Sequence, residues 1–370
     1  MPSDPITRWL LMVAALVVGL VTVGGFVRLS RAGLSIVEWD PVTGILPPIG
    51  DEAWQRSFAE YQQTPEFQLV NQGIDLADYQ RIFYIEWAHR LIARIAGLLV
   101  VLPLIWFVAK GVISLRESLR YWMIAALFGV QGAIGWAMVS SGLRDRPTVS
   151  HYRLTIHLLT ALALLGIVVW MALNRIGAGR QAQSGEQSGE QSGERSGERS
   201  GERSGPAGAG HPLSWVLLAV VVVQIGYGGL VAGLKAGAVS DTWPLMFGQL
   251  VPLELLTIRD PWWVNLSEDV GSHWIHRWMA FAVAGIAVAL FVAIRRRHSD
   301  SRVLTAAGIS LLAAVSLQIS LGIGVVIFGV PKWLALAHQG VGVVLFCISV
   351  LITHQLRWRS RSLGGAPITG

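Results

Sequence analysis

The chain has 370 residues, of which 53% are apolar and 14% charged, and its net charge is +6. A soluble domain carries about 25% charged residues, so this composition excludes an ordinary soluble enzyme and points to the lipid bilayer. The single cysteine, Cys347, excludes an intrachain disulfide and any zinc or iron–sulfur centre built on paired thiolates.

Apolar stretches of spanning length fall at 9–27, 85–109, 119–140, 153–173, 213–234, 274–294, 303–329 and 333–356. They predict an all-α membrane protein with eight transmembrane helices. The first stretch, in "MPSDPITRWLLMVAALVVGLVTVGGFV", lacks a clear small-x-small cleavage pattern and reads as a retained span rather than a signal peptide. One set of connections is basic: Arg8; Lys110, Arg116 and Arg120; Arg175 and Arg180; Arg295, Arg296, Arg297 and Arg302; Arg357, Arg359 and Arg361. The loop after the first span is long and acidic, with Glu38, Asp40, Asp51, Glu52, Glu60, Glu66, Asp75 and Asp78. The positive-inside rule therefore places the basic connections and both termini in the cytoplasm. On this reading the positive charge reports topology, and no nucleic-acid partner is expected.

Residues 183–205 repeat "SGEQ" and then "SGER", a polar composition with nothing to pack. A flexible cytoplasmic linker is expected over 175–212. It divides the chain into an N-terminal half, 1–174, and a C-terminal half, 213–370. The halves resemble each other: "EWAHRLIARIAGLLV" matches "HWIHRWMAFAVAGIA", and "VQGAIGWAMVSSGL" matches "LQISLGIGVVIFGV". Each half has four helices, so both enter the membrane in the same direction. The expected architecture is two four-helix bundles related by a pseudo-twofold axis along the membrane normal. Gly24, Gly25, Gly228 and Gly229 suit close helix approach in such a bundle.

Four histidines, His89, His157, His276 and His338, fall at matched places, one to two turns into helices that run inward. At about 1.5 Å per residue they share one depth in the outer part of the bilayer. A single histidine near a helix end is more often an interfacial polar residue than a ligand. Four in a repeated pattern are harder to explain that way, because polar residues within spans are costly. Zinc would want further ligands, whereas haem iron needs only axial ones, for which histidine is the usual choice. Two haem sites are therefore expected, one per half. Arg28, Arg90, Arg153, Arg277 and Lys235 lie near the outer surface as cations for propionates. Glu86 precedes His89 by one turn, and its counterpart before His276 is His273. Glu86 is either a carboxylate that serves chemistry in the first pocket or an interfacial partner of a nearby arginine. His273 reads as a surface neighbour. His151, His298 and His354 read as loop or interface residues, and His211 has no assigned role. Trp9, Trp39, Trp54, Trp262 and Trp263 fit interfacial belts or outer-loop packing.

The motifs "RLSRAGLSIVEWDPVTGILPP", "EWAHRLIAR", "YRLTIHLLTA", "DTWPLMFGQLVP", "HWIHR" and "AHQ", in this order, resemble the haem A synthase family over nearly the whole chain. The resemblance implies an enzyme that oxidises a methyl group of haem O to a formyl group through a hydroxymethyl intermediate. It implies that His276 and His338 ligate a haem b cofactor, that His89 and His157 line the haem O site with Arg90 and Arg153, and that Glu86 is catalytic. The first outer loop lacks the cysteine pair of some members. That matches the cysteine-free branch of mitochondria and related proteobacteria, and puts any mechanism needing those thiols in question. A bacterial inner-membrane location is implied. So are a haem O synthase and terminal oxidase assembly factors as partners, and a homo-oligomer is compatible. Two rival readings use the same residues: a two-haem electron-transfer cytochrome, and a haem carrier.

Overall fold

A computed structural model describes residues 4–39, 43–143, 147–191, 211–256 and 264–364, with side chains described except at 43, 180–191, 211 and 360–364. Its helices are α1 (Pro5–Leu29), α2 (Asp51–Gln62), α3 (Pro65–Leu69), α4 (Leu76–Ala109), α5 (Leu115–Leu143), α6 (His151–Gln191), α7 (His211–Leu234), α8 (Leu253–Leu256), α9 (Val264–Ser267), α10 (Asp269–Arg297), α11 (Arg302–Ile327) and α12 (Lys332–Gly364). No strand occurs among the described residues. Eight of these helices, α1, α4, α5, α6, α7, α10, α11 and α12, are long and apolar enough to cross a membrane.

Local chemistry sets the helix ends. The Asp4 carboxylate accepts from the Ile6 and Thr7 amides, and Pro5 occupies the first turn of α1, where its missing N–H costs nothing. Asp75 caps α4 through the Asp78 amide, and Ser301 caps α11 through the Leu304 amide. The cap at Asp75 starts α4 nine residues before the apolar stretch at 85, so its first turns project beyond the span. At the other end of the chain's first half, α6 runs on to Gln191. The first residues of the "SGEQ" repeat are thus helical, where a flexible linker from 175 is expected. Residues 192–210 lie outside the described residues.

α1, α4, α5 and α6 pack in a closed ring, each against the next, and α7, α10, α11 and α12 do the same. The two rings meet where α6 touches α7 and α12, and where α1 touches α12. Lipid tails are as apolar as leucine, so close packing rather than hydrophobic burial must hold such helices together. Small residues permit it at the seam. A side-chain carbon at Gly166 would lie 3.1 Å from the Phe346 ring, and one at Gly229 would lie 2.9 Å from the Thr155 hydroxyl. Gly25 leaves room for Gln339, whose amide donates to the Val21 carbonyl at 2.7 Å. One buried cluster runs through both rings, including Val13, Leu104, Leu165, Leu290, Leu311 and Val350.

Trp9 belongs to that cluster rather than to an interfacial belt. It is 4% exposed, and its ring meets Phe107 and Tyr121 edge-on at 5.9 and 5.8 Å. The reason lies four residues from Leu99. Pro103 has no N–H to give the Leu99 carbonyl, and the Trp9 indole donates to it instead at 3.1 Å. Trp54 does pack in the loop, where it forms a second small core with Tyr61, Tyr79 and Phe83. Trp39 is exposed beneath the Arg90 guanidinium, and Trp262 and Trp263 lie outside the described residues.

Candidate functional site

Each of the four matched histidines packs against a glycine on a neighbouring helix. A side-chain carbon at Gly24 would stand 3.4 Å from the His89 ring, at Gly135 3.2 Å from His157, at Gly228 3.1 Å from His276, and at Gly322 3.0 Å from His338. Gly24 and Gly228, expected to bring helices together, thus make room for imidazoles. The rings are partly buried, and within each half the two histidines are electrostatic neighbours. The His276 and His338 ring centres lie 6.1 Å apart at 79°. Two imidazoles bound at about 2.0–2.1 Å on opposite sides of one metal place their centres roughly 6 Å apart. Among the described residues, no group of three or more His, Cys, Asp and Glu side chains could hold a bare metal ion. The donor set is one of imidazole pairs, which suits a metal whose remaining ligands come with it, as in haem.

The two pairs are braced differently. His276 Nδ1 lies 3.1 Å from the Gln224 carbonyl, and His338 Nδ1 lies 3.1 Å from the Gln318 carbonyl. A carbonyl accepts only, so each Nδ1 carries its proton and leaves the Nε2 lone pair for a metal. The Gln318 amide occupies that lone pair on His338 at 3.3 Å, a long contact that a metal would replace. In the first half, His89 Nδ1 and His157 Nδ1 are buried without a hydrogen-bond partner. Glutamines sit beside three of the four cradles, in both halves. Gln131, Gln224 and Gln318 each precede a cradle glycine by four residues. Gln131 and Gln224 also donate to the carbonyls of His157 and His276, at 2.8 and 2.9 Å. Leu20 holds the corresponding place before Gly24, so His89 has no such amide. This Gln-x-x-x-Gly pattern was open to a comparison of the two halves, yet histidine spacing alone does not reveal it.

The "EWAHR" and "HWIHR" stretches turn out to be matched ties between helix and loop. Glu86 is 2% exposed. Its Oε2 accepts from the Ser35 amide at 2.8 Å, the Ser35 hydroxyl at 2.7 Å and the Ile36 amide at 3.0 Å. Its Oε1 accepts from Arg90 at 2.6 Å. Arg90 also donates to the Ile36 and Glu38 carbonyls. In the second half, Arg277 donates to His273 Nε2 at 3.0 Å and to the Ser240 and Thr242 carbonyls at 3.0 and 2.8 Å. His273 is therefore not a surface neighbour. It is 2% exposed and takes the place of Glu86. The tryptophans between them act alike, with Trp87 donating to the Ile45 carbonyl and Trp274 to the Leu250 carbonyl, at 3.0 and 2.8 Å.

Two of the other expected cations, Arg28 and Arg153, are also engaged by the protein. Arg28 donates to the Ala232 carbonyl across the seam, and Arg153 donates to the Ala137 carbonyl at 2.5 Å. Lys235 adopts a left-handed backbone, φ 57°, as does Arg31 at φ 53°. Burial lowers the Lys235 ammonium, and Arg31, Arg28 and Glu66 are its charged neighbours. His354 is no loop residue. It is 2% exposed in α12, bonds Asn174 at 2.9 Å and stacks on Trp358. His151 opens α6, and His298 closes α10.

A family model described as a cytochrome oxidase assembly protein, COX15-CtaA, matches residues 7–350. The chain belongs to the COX15-CtaA family. A protein named Heme A synthase from Rhodopseudomonas palustris strain BisB5 is 40% identical over 95% of this chain and 91% of its own length. One of the same name from Sphingopyxis alaskensis is 38% identical over 96% of this chain and 93% of its own. Another, from Novosphingobium aromaticivorans, is 40% identical over 95% of each. Within the COX15-CtaA match lie all four histidines, their four glycines and both helix–loop ties.

Proposed function

We propose that this chain is a haem A synthase that oxidises the methyl group of haem O to a formyl group by way of the hydroxymethyl compound. The two rings would be related by a pseudo-twofold axis, a reading supported by their identical order of helix packing. The half spanning 1–174 takes the substrate, and the half spanning 213–370 holds a haem b. The observation that carries the division of labour is the unequal bracing of the histidine pairs. His276 and His338 have their tautomer and orientation set by backbone carbonyls, as suits permanent ligands. His89 and His157 lack that restraint, as suits a site whose occupant must leave.

A haem b held by His276 and His338 would supply one-electron chemistry. The chain's own residues do the rest. His89 and His157 present the substrate at one depth, with Arg90 and Arg153 beside them. Arg28, Arg277 and Lys235 keep the potential at this end of the bundle positive, where propionates would sit. Glu86 is the proton acceptor of the first pocket. All its bonds come from donors, so a proton arriving there displaces Ser35, Ile36 or Arg90. Short basic connections support a bacterial inner-membrane location with both termini in the cytoplasm. Haem O would enter sideways from lipid, supplied by a haem O synthase, and the product would pass to terminal oxidase assembly factors.

The test is expression with a haem O supplier in a host that makes no haem A, followed by extraction and mass analysis of the haems. Formyl haem is expected from the wild type. Glu86→Ala is expected to keep haem b while formyl haem falls at least tenfold. Unmodified haem O from the wild type would leave an electron carrier or a haem carrier in its place.

A further inference from the structure

From Leu159, two residues beyond His157 on α6, toward the end of the bundle that holds the termini, a cavity of about 570 Å³ opens between the two rings. Its floor is α6, and its walls come from α5, α7 and α12, with Leu162, Gly166, Leu218 and Phe346 among them. That volume falls in the range of about 300–1,000 Å³ usual for small-molecule sites. The lining along α6 runs from Leu159 to Arg175, about 24 Å at 1.5 Å per residue, most of the thickness of a hydrocarbon core of about 30 Å. It does not open into the histidine pocket. Leu159 faces Gly226 on α7, whereas His157 faces Gly135 on α5.

The ends of this groove differ. The deep part is apolar. The terminal-side end carries Trp170 and Trp215, whose rings lie 5.8 Å apart, together with Arg120 and Arg175. Arg175 is held by Asp4 at 2.6 Å and by the Tyr121 hydroxyl at 3.1 Å, so Asp4 balances its charge. Arg120 is exposed, with its guanidinium over the Tyr121 ring at 4.9 Å. Tryptophan and arginine together mark the headgroup level of a bilayer, and a basic residue there attracts anionic lipid.

We propose that this groove is a binding site for one anionic phospholipid. An acyl chain lies along α6 between the rings, and the phosphate meets Arg120. The lipid would fill a gap at the seam that the side chains leave open. The site is independent of the histidine chemistry, so it stands or falls apart from the reading above.

The test is native mass spectrometry of the full-length protein, released from detergent in equal phosphatidylglycerol and phosphatidylcholine with the same chains. Phosphatidylglycerol is expected to be retained about fivefold over phosphatidylcholine. Arg120→Gln should bring the two to parity. Ala163→Trp fills the groove from an exposed position on α6 and should abolish retention of both lipids while haem content stays at the wild-type level. Leu218→Trp, from the facing wall, serves the same purpose if Ala163→Trp loses haem. Equal retention of the two lipids by the wild type would overturn the proposal, as would unchanged retention in the filled variant. Recovery of an isoprenoid porphyrin from the groove in place of phospholipid would also overturn it.

Discussion

Gly228 sets how near the His276 ring can come to the backbone of α7. A methyl group there would sit 3.1 Å from the ring, tighter than nine in ten packed carbon contacts, and the ring must yield by a few tenths of an ångström. Moving it strains the bond between His276 Nδ1 and the Gln224 carbonyl. On the proposed assignment of this pair as cofactor ligands, Gly228→Ala is therefore expected to lower haem occupancy severalfold, read from the haem absorbance of purified protein. Gly97→Ala, on a helix position with nothing within 4 Å, is the control and should leave it unchanged. The matched placement of the histidines was legible from spacing and repetition. Their bracing was not, because it depends on which carbonyl each ring meets across a helix interface. The arginines were legible as charges, and one of them as a nearby partner of Glu86. Arg90 and Arg277 spend their donors on loop carbonyls, a use that net charge and position cannot reveal.

Helix α4 carries two features that act over its whole length. At its terminal-side part, Pro103 frees the Leu99 carbonyl, and Trp9 of α1 takes it up. Trp9→Phe leaves that carbonyl unpaired at a part-buried place within a span, at a cost of about 1–3 kcal/mol. Pro103→Ala restores an N–H within α4, so the double variant should recover much of that loss. Denaturation of the four proteins in one detergent would show it, and simple additivity would refute it. At its other end, α4 projects from the span and supports the small core of the loop. There burial pushes the Glu66 carboxyl up to about 7, against the Tyr61 hydroxyl at 3.3 Å. A carboxyl whose folded value is raised favours folding when protonated. That contribution is full below about pH 4.5 and fades as pH rises through about 7. Proteolysis of the loop should therefore quicken between pH 5 and pH 7.5, and Glu66→Gln should remove most of that change. The helical extension before 85 and the loop core escaped a reading of apolar stretches, since polar sequence gives no periodicity to follow. The eight spans did not escape it, because lipid allows few alternatives to a long apolar helix.

At the scale of the molecule, two closed rings of four helices share one seam. Gln339 stands next to His338 and donates across that seam to Val21, on the helix whose Gly24 cradles His89. A valine at Gly25 would overlap the Gln339 amide and part the rings there. Gly25→Val is expected to cost about 1–3 kcal/mol in detergent denaturation, typical of overpacking. The same change in a Gln339→Ala background should cost less. The repeat in the sequence led to the expectation of two halves of four helices, and the helices pack in two rings of four. Where they touch was not foretold, since Gly166, Thr155 and Gln339 have no periodicity of their own and are recognisable only against their partners.

His89 and His157 are the two of the four whose Nδ1 meets no partner, whereas His276 and His338 are each tied at Nδ1 to a backbone carbonyl. An unanchored imidazole can swing away at little cost, whereas one tied at Nδ1 must first break that tie. Turnover needs one grip that loosens each cycle and another that never does. On the proposed division of labour, two backbone carbonyls, those of Gln224 and Gln318, would then be enough to separate a guest from a resident.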